Sequence, residues 1–355
     1  MHWDIFCKVI DNHGDIGVCW RLAAQLGARR ESVTLWVDDA SALTWMAPRG
    51  ANGVEVRDWA LSASPAVEPG QVVIESFGCE LEPQFQAAMA RRPTPPAWIN
   101  LEYLTAELFA ERSHGLPSPV FSGAAAGLIK HFFYPGFTPR TGGLLREPDL
   151  EAKQQSLNPQ RWLESIGVQA VSGARRVSLF CYEPVQLKSL LAQFAADSGT
   201  TQLLVTAGRA QAATRTCMEE LTANSSQWNA QGKLAVEWLP LLTQIDFDRL
   251  LWSCDLNFVR GEDSLVRALW AGKPFIWHIY PQDDDAHHAK LEAFLDWLEA
   301  PAGLRMFHRS WNDMNFPLPA IDLAAWAPCA AAARNRLLTQ EDLVTQLMRF
   351  LDKLK

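Results

Sequence analysis

Short apolar runs alternate with helical patterns twice along this chain, and that repetition narrows the available folds more than any other feature. In the first half "WDIFCKVI" is followed by a helical pattern from Val18 to Leu26, then by "SVTLWV", "VVIES" and "AWINL". Within that pattern Val18, Leu22 and Leu26 recur at helical spacing, with Cys19 and Ala23 beside them, which predicts a buried stripe. A second series begins near residue 175, where "RVSLFCYEP", "QLLVTAG", "LAVEWLP", "CDLNFV" and "PFIWHIYP" are five strand candidates. Helical patterns such as Val185 to Ala196 and Ser264 to Ala271 separate them. Alternation of this kind marks a parallel sheet covered by helices. Two such halves predict two Rossmann-like domains facing each other across a cleft, over residues 1–160 and 174–335, with the polar stretch from Glu151 to Gly173 as linker. At 355 residues and 48% hydrophobic content, the chain is long enough for two packed cores. Near the end, Thr339 and Asp342 resemble a capping box, and Leu343, Leu347, Leu351 and Leu354 fall on one face. A helix over 339–355 must dock somewhere, and the first domain is one place for it.

Charge and composition remove several function classes. Net charge is −8 and no Lys/Arg-rich run occurs, so neither a nucleic-acid backbone nor an anionic membrane surface is expected as partner. Seven scattered cysteines with no C-x-x-C pair fit small buried hydrophobes in a reducing compartment and offer no zinc site. The opening "MHWDIFCKVI" lacks the layout of a signal peptide, and no apolar run approaches the ~18 residues that span a bilayer. A soluble, cytoplasmic protein is the expectation. No short-period repeat points to a solenoid.

Two stretches carry the residue types that chemistry needs. In an open α/β sheet, ligands bind beyond the carboxyl ends of the strands, which is where the turn from Ile10 to Gly17 falls. Gly14 and Gly17 let backbone approach a ligand, and the N–H groups opening the next helix suit a phosphate. Asp11 and Asp15 are then either functional carboxylates, or a turn-bonding residue and a helix cap. No G-x-G-x-x-G fingerprint supports a dinucleotide-dependent oxidoreductase. The second stretch runs from Asn257 to Leu291, where Arg260, Gly261, Glu262, Asp263 and Ser264 follow an apolar strand and precede a helix. Arginine beside a glycine turn binds diphosphate well, and ionised carboxylates accept from sugar hydroxyls. A capped helix with a solvated charge cluster is the plainer alternative. "DDDAHH" at 283–288 has a metal-like composition, yet reads better as an acidic helix start with His287 and His288 on a polar face. Ser122, Ser178 and Cys181 lack any nucleophile elbow.

Taken together, "WDIFCKVIDNHGDIGVCWRLAAQL", "NLEYLTAE", "FFYPGFTPRTGGLLRE", "LFCYEP" and "RGEDSLVRALWAGKPFIWHIYPQDDDAHHAKLEAFLDW" resemble the EarP family, bacterial enzymes that rhamnosylate an arginine of translation elongation factor P. The matching stretches keep their order from residue 3 to about residue 298. The resemblance implies a GT-B glycosyltransferase fold, TDP-β-L-rhamnose as donor on the C-terminal domain and the elongation factor on the N-terminal domain. It also implies inversion at the anomeric carbon with no metal or other cofactor, and activation of a factor that relieves stalling at polyproline. On the family's motifs, Asp15 becomes the catalytic base with Asp11 as its companion, while Asn12, Gly14, Ile16 and Gly17 of the same turn line the donor. Tyr182, Gln244, Arg260, Gly261, Glu262, Asp263 and Ser264 become donor-binding residues, with Gln244 reading the thymine. One departure is Leu241 in "PLLTQ", which replaces a base-stacking aromatic. A nucleotide-sugar transferase acting on a lipid or glycan, or a non-catalytic two-domain binding protein, are the alternatives.

Overall fold

A computed structural model describes residues 1–10, 13–282 and 286–354, so Asp11, Asn12 and the acidic run at 283–285 lie outside the described residues. The chain divides into two compact units, Met1–Glu147 with Gln340–Lys355, and Pro148–Thr339. In chain order the first unit contains β1 (His2–Cys7), α1 (Gly14–Ala28), β2 (Ser32–Val37), α2 (Leu43–Met46), β3 (Val54–Asp58), β4 (Val72–Ser76), α3 (Pro83–Arg91), β5 (Ala97–Leu101), α4 (Leu108–Ser113), β6 (Pro117–Pro119) and β7 (Ile129–Phe133). Its sheet has the order β3-β2-β1-β4-β5-β7-β6. Every neighbouring pair is parallel except β6 with β7, where two prolines blunt the antiparallel edge.

Central strands that are apolar on both faces need cover on both. On one face Trp3, Ile5, Leu35 and Ile74 pack against Cys19, Leu22, Ala23 and Leu26 of α1, so the expected stripe is the buried one. Val18, by contrast, is only partly buried. The other face packs Phe6, Trp36, Val73 and Trp98 against Phe85 and Met89 of α3. A carboxylate survives there because it is fully bonded: Asp4 accepts from Trp36 Nε1 at 2.8 Å and from the Gly70 amide at 2.6 Å. Gly27 is required by close approach, since a Cβ there would collide with the carbonyl oxygen of Asn52.

The second unit contains α5 (Leu150–Ser156), α6 (Pro159–Ser165), β8 (Arg175–Leu179), α7 (Leu187–Ala196), β9 (Thr201–Val205), α8 (Arg209–Asn224), β10 (Leu234–Trp238), α9 (Gln244–Ser253), β11 (Leu256–Arg260), α10 (Gly261–Ala271), β12 (Phe275–His278), α11 (Ala286–Leu298), α12 (Ala302–Trp311) and α13 (Leu323–Leu338). The five strands form one parallel sheet in the order β10-β9-β8-β11-β12. The stretch read as a linker instead forms α5 and α6, because Trp162 and Leu163 are buried with Leu204, Leu239 and Leu250. Between α9 and α10, Arg267 and Asp248 make a bidentate pair with both contacts at 2.8 Å, their side chains 2% and 8% exposed.

The last helix, α14 (Leu343–Leu354), returns to the first unit, where Leu343, Val344, Leu347 and Leu351 join the core beside α1. Its cap is Asp342, which accepts from the Thr345 amide at 3.1 Å and from Arg29 Nη2 at 2.7 Å. Thr339 takes no part, since its hydroxyl donates to the carbonyl oxygen of Arg336. No helix among the described residues is long and apolar enough to cross a membrane.

Leu347 is fully buried while Leu354 is 38% exposed, so the two test this docking directly. Leu347→Ala should destabilise the first unit by about 2–5 kcal/mol and Leu354→Ala by less than about 0.5 kcal/mol in denaturant titrations. Equal small effects would show that α14 adds little to this core.

Candidate active site

Each sheet reverses its strand order at an interior parallel pair, and that reversal decides where polar side chains gather. In the first unit β1 lies between β2 and β4, so segments leaving β1 and β4 diverge to opposite faces and open a crevice at their carboxyl ends. The segment after β1 carries the acidic turn. Asp15 is half-buried, one residue past the first residue of α1, while His13 holds the cap position without a side-chain bond. Asp15 therefore sits inside the first turn, where the helix dipole favours its charge, and is not the capping residue. Gly14 is exposed, with open space where a Cβ would project, whereas Ile16 and Gly17 face inward. Beneath them the Cys7 thiol is pushed up by its hydrogen bond with Cys19 and by burial, with the Asp15 charge adding to the effect, so Cys7 is a neutral packing residue.

At the end of β4 stands a group that motif reading passed over. Glu75 is buried and accepts from Trp98 Nε1 at 3.1 Å and from Lys130 Nζ at 3.0 Å. Burial nevertheless holds its carboxyl above the usual range. The signal was present, as an acidic residue in the otherwise apolar "VVIES", but only strand pairing shows that β5 and β7 supply its partners.

In the second unit the reversal falls between β8 and β11, whose pairing extends to a bond from the Phe180 amide to the Phe258 carbonyl. This brings Tyr182 and Arg260 together. The Arg260 guanidinium lies 4.4 Å from the Phe180 ring centroid and 4.7 Å from that of Tyr182. It donates to the Cys181 carbonyl oxygen at 3.1 Å and makes no ion pair among the described residues. Burial lowers its pKa and lifts the Tyr182 phenol to about 12, so at neutral pH the first is a cation and the second a neutral donor. Gly261 adopts φ +64°, which favours glycine, and a Cβ there would touch the Tyr182 hydroxyl at 3.4 Å.

The rest of the arginine-to-serine motif divides by role. Ser264 is buried and spends its hydroxyl on the Arg260 backbone, accepting from its amide at 3.0 Å and donating to its carbonyl. It fixes the start of α10. Glu262 pairs with Lys290 Nζ at 2.6 Å, and Asp263 is half-buried in the same helical turn. Gln244 is the first residue of α9, one turn before Phe247, whose ring meets Phe180 edge-on at 5.2 Å. Leu241 is 57% exposed, so no aromatic face occupies its place.

Three further residues border Tyr182 without having been singled out by motif. Tyr280 and His278 meet its ring edge-on at 5.6 Å and 5.2 Å, and the Arg209 guanidinium lies 5.0 Å from its centroid. His278 ends β12, Tyr280 follows it and Arg209 opens α8, positions that only the sheet order makes neighbours. His287 is buried and accepts from the Gln282 amide at 3.1 Å, which corrects its expected place on a polar face. Among the described residues no group of three or more His, Cys, Asp or Glu is arranged to hold a metal ion.

Known proteins similar to this chain share its two-unit α/β fold. The family described as Elongation-Factor P (EF-P) rhamnosyltransferase EarP matches residues 3–352. A protein-arginine rhamnosyltransferase of Pseudomonas putida is 46% identical over 98% of this chain and 98% of its own. A solved structure described as the structural basis for EarP-mediated arginine glycosylation of translation elongation factor EF-P matches with a TM-score of 0.64 and 32% identity over 99% of both chains. MurG of Acinetobacter baumannii, 12% identical with a TM-score of 0.53 over 99% of each chain, shares the fold alone. Two parallel-sheet units of this kind define the GT-B fold, and the family match makes the chain a glycosyltransferase. It belongs to the EarP family, the protein-arginine rhamnosyltransferases.

Two of the buried histidines of the second unit, His278 and His308, give its stability a pH dependence. Burial lowers His278 to about 3 and His308 to about 4. The unfolded chain binds protons near pH 6.5 that the folded chain refuses, so stability is full above that pH and falls as pH drops towards 4. Two such protons contribute about 2.7 kcal/mol per pH unit in that window. Urea titrations of the native chain and of a His308→Gln variant check this, and an identical pH slope in both would remove His308 from the account.

Proposed function

We propose that this enzyme transfers L-rhamnose from TDP-β-L-rhamnose to an arginine side chain of translation elongation factor P, with inversion at the anomeric carbon and no metal. The second unit binds the donor, the first receives the elongation factor, and the reaction takes place in the cytoplasm. The observation that carries this is identity of 46% over nearly the whole length with a protein-arginine rhamnosyltransferase. The meeting of Tyr182 and Arg260 at a strand-order reversal supports the donor assignment independently, since a partly buried guanidinium with no ion pair among the described residues is suited to a diphosphate.

Arginine is a difficult nucleophile, being cationic at working pH with delocalised lone pairs. Asp15 solves this by accepting a hydrogen bond from the acceptor guanidinium, which holds the cation and turns one nitrogen towards the sugar. That nitrogen attacks the anomeric carbon as the bond to the diphosphate oxygen breaks. The electron pair leaves with TDP, and the proton released from nitrogen passes to the Asp15 carboxylate. Attack opposite the departing group gives inversion. Asp11 assists Asp15, while Asn12, Gly14, Ile16 and Gly17 are further donor-binding residues. Charge gathering on the leaving diphosphate is met by Arg260 and the Tyr182 hydroxyl. Glu262 and Asp263 bind sugar hydroxyls, Ser264 and Gly261 hold the turn in place, and Gln244 reads the thymine with no aromatic at Leu241.

Incubation with TDP-rhamnose and elongation factor P should raise the factor's intact mass by one deoxyhexose, mapped to an arginine. Asp15→Asn should retain TDP binding while turnover falls by roughly a hundredfold or more. Near-normal turnover in that variant would remove Asp15 as base, and no mass change with the native enzyme would overturn the proposed donor or acceptor.

A further inference from the structure

Resting on the donor site proposed above, we infer that Arg209 is a second diphosphate-binding guanidinium, and that Glu183 occupies its fork until the donor arrives. Arg209 opens α8 just beyond β9, the other strand beside β8. Its guanidinium lies 5.0 Å from the Tyr182 ring centroid, and that of Arg260 lies 4.7 Å from the same centroid. Two cations thus share one aromatic ring. Proximity of like charge is unfavourable unless an anion sits beside both, and Arg209 contributes to lowering the Arg260 pKa.

Glu183 supplies part of that anion within the chain. It accepts from Arg209 Nε at 2.7 Å and from Nη2 through its other oxygen, a two-bond pairing that holds the carboxyl low. A guanidinium fork fits two phosphate oxygens as well as it fits a carboxylate, so Glu183 stands where a phosphate can bind. Both side chains are about half exposed, at 47% and 50%, so the pair can separate without leaving a buried charge. Arg260 is held by its bond to the Cys181 carbonyl, whereas the partner of Arg209 is a half-exposed carboxylate that can be exchanged.

The two helix starts nearest Tyr182 differ in a way that favours the same side. α10 carries Glu262 and Asp263 in its first turn, so its positive end is already met by carboxylates. α8 has no acidic residue in its first turn, and Gly208 before it adopts φ +93° with open space around its Cβ position. A diphosphate bridging Arg260 and Arg209 therefore finds no competing carboxylate at the start of α8, whereas the start of α10 already carries two. Arrival of the donor exchanges one anion for another, and Glu183 returns to water. No covalent bond changes in this step.

Calorimetric titration of the full chain with TDP tests the exchange. Arg209→Ala should weaken TDP binding by about tenfold or more, with Arg209→Lys intermediate because it keeps charge but loses the fork. Thymidine, which lacks phosphate, should bind equally to native and Arg209→Ala protein by ligand-observed NMR; a parallel loss would indicate local collapse and overturn the assignment. Glu183→Gln should tighten TDP binding, and adding it to Arg209→Ala should change nothing further, because Glu183 acts only through Arg209. Weaker TDP binding in Glu183→Gln would overturn the exchange. If Arg260→Ala weakens TDP binding and Arg209→Ala does not, Arg209 is excluded while the donor site stands. If neither does, the donor-site assignment itself fails.

Discussion

Parallel pairing of β8 with β11 is the constraint on which the second unit's chemistry depends. A parallel sheet sends every carboxyl end to one edge, and the order β10-β9-β8-β11-β12 makes connections leave β8 and β11 towards opposite faces. Side chains just past those two ends then have room to turn towards each other. Tyr182 and Arg260 do so, and the ring-to-cation contact strengthens because both groups are largely withdrawn from water. Gly261 permits it, since any side chain there would need a left-handed backbone and would crowd the Tyr182 hydroxyl.

Buried polar groups elsewhere show how apolar strands tolerate charge. Asp4 and Glu75 lie on the sheet face that packs against α3, and each is met by an indole N–H, from Trp36 and Trp98 respectively. Arg267 and Asp248 satisfy each other through two parallel bonds between α9 and α10. That pair adds little net stability, because desolvation offsets its attraction, yet removing either partner would leave a buried charge and cost about 3–5 kcal/mol. His278 and His308 follow the other route and stay neutral. Neutral His278 can then accept from the Tyr182 amide at 3.3 Å, which helps to fix the tyrosine beneath the two guanidiniums.

How much was legible in advance depended on whether a residue's partners were near in sequence. The five strands of the second unit could be read because each is a short apolar run of the length a covered parallel sheet needs. Leu343, Leu347 and Leu351 could be placed on one helical face, but the cap could not be resolved, since Thr339 and Asp342 are both good capping residues and only helix geometry chooses Asp342. The stretch from Glu151 to Gly173 looked like a linker because it is polar. Trp162 and Leu163 become core only once β9, β10 and α9 present an apolar surface to them.

The same division holds at the site. Sequence by itself determined the residue types and their local setting: a carboxylate in a strand-to-helix turn, an arginine at a strand end, and a glycine turn leading into a helix. These follow from short-range rules of helix starts, turns and strand length, which act over a few residues. Only the tertiary structure decided that Arg209 and Arg260, 51 positions apart in the numbering, share the ring of Tyr182. It also decided that Glu183 is committed to Arg209 and that Ser264 is spent on backbone. Those outcomes depend on strand order, a long-range property set by which apolar faces bury each other, and no local pattern encodes it.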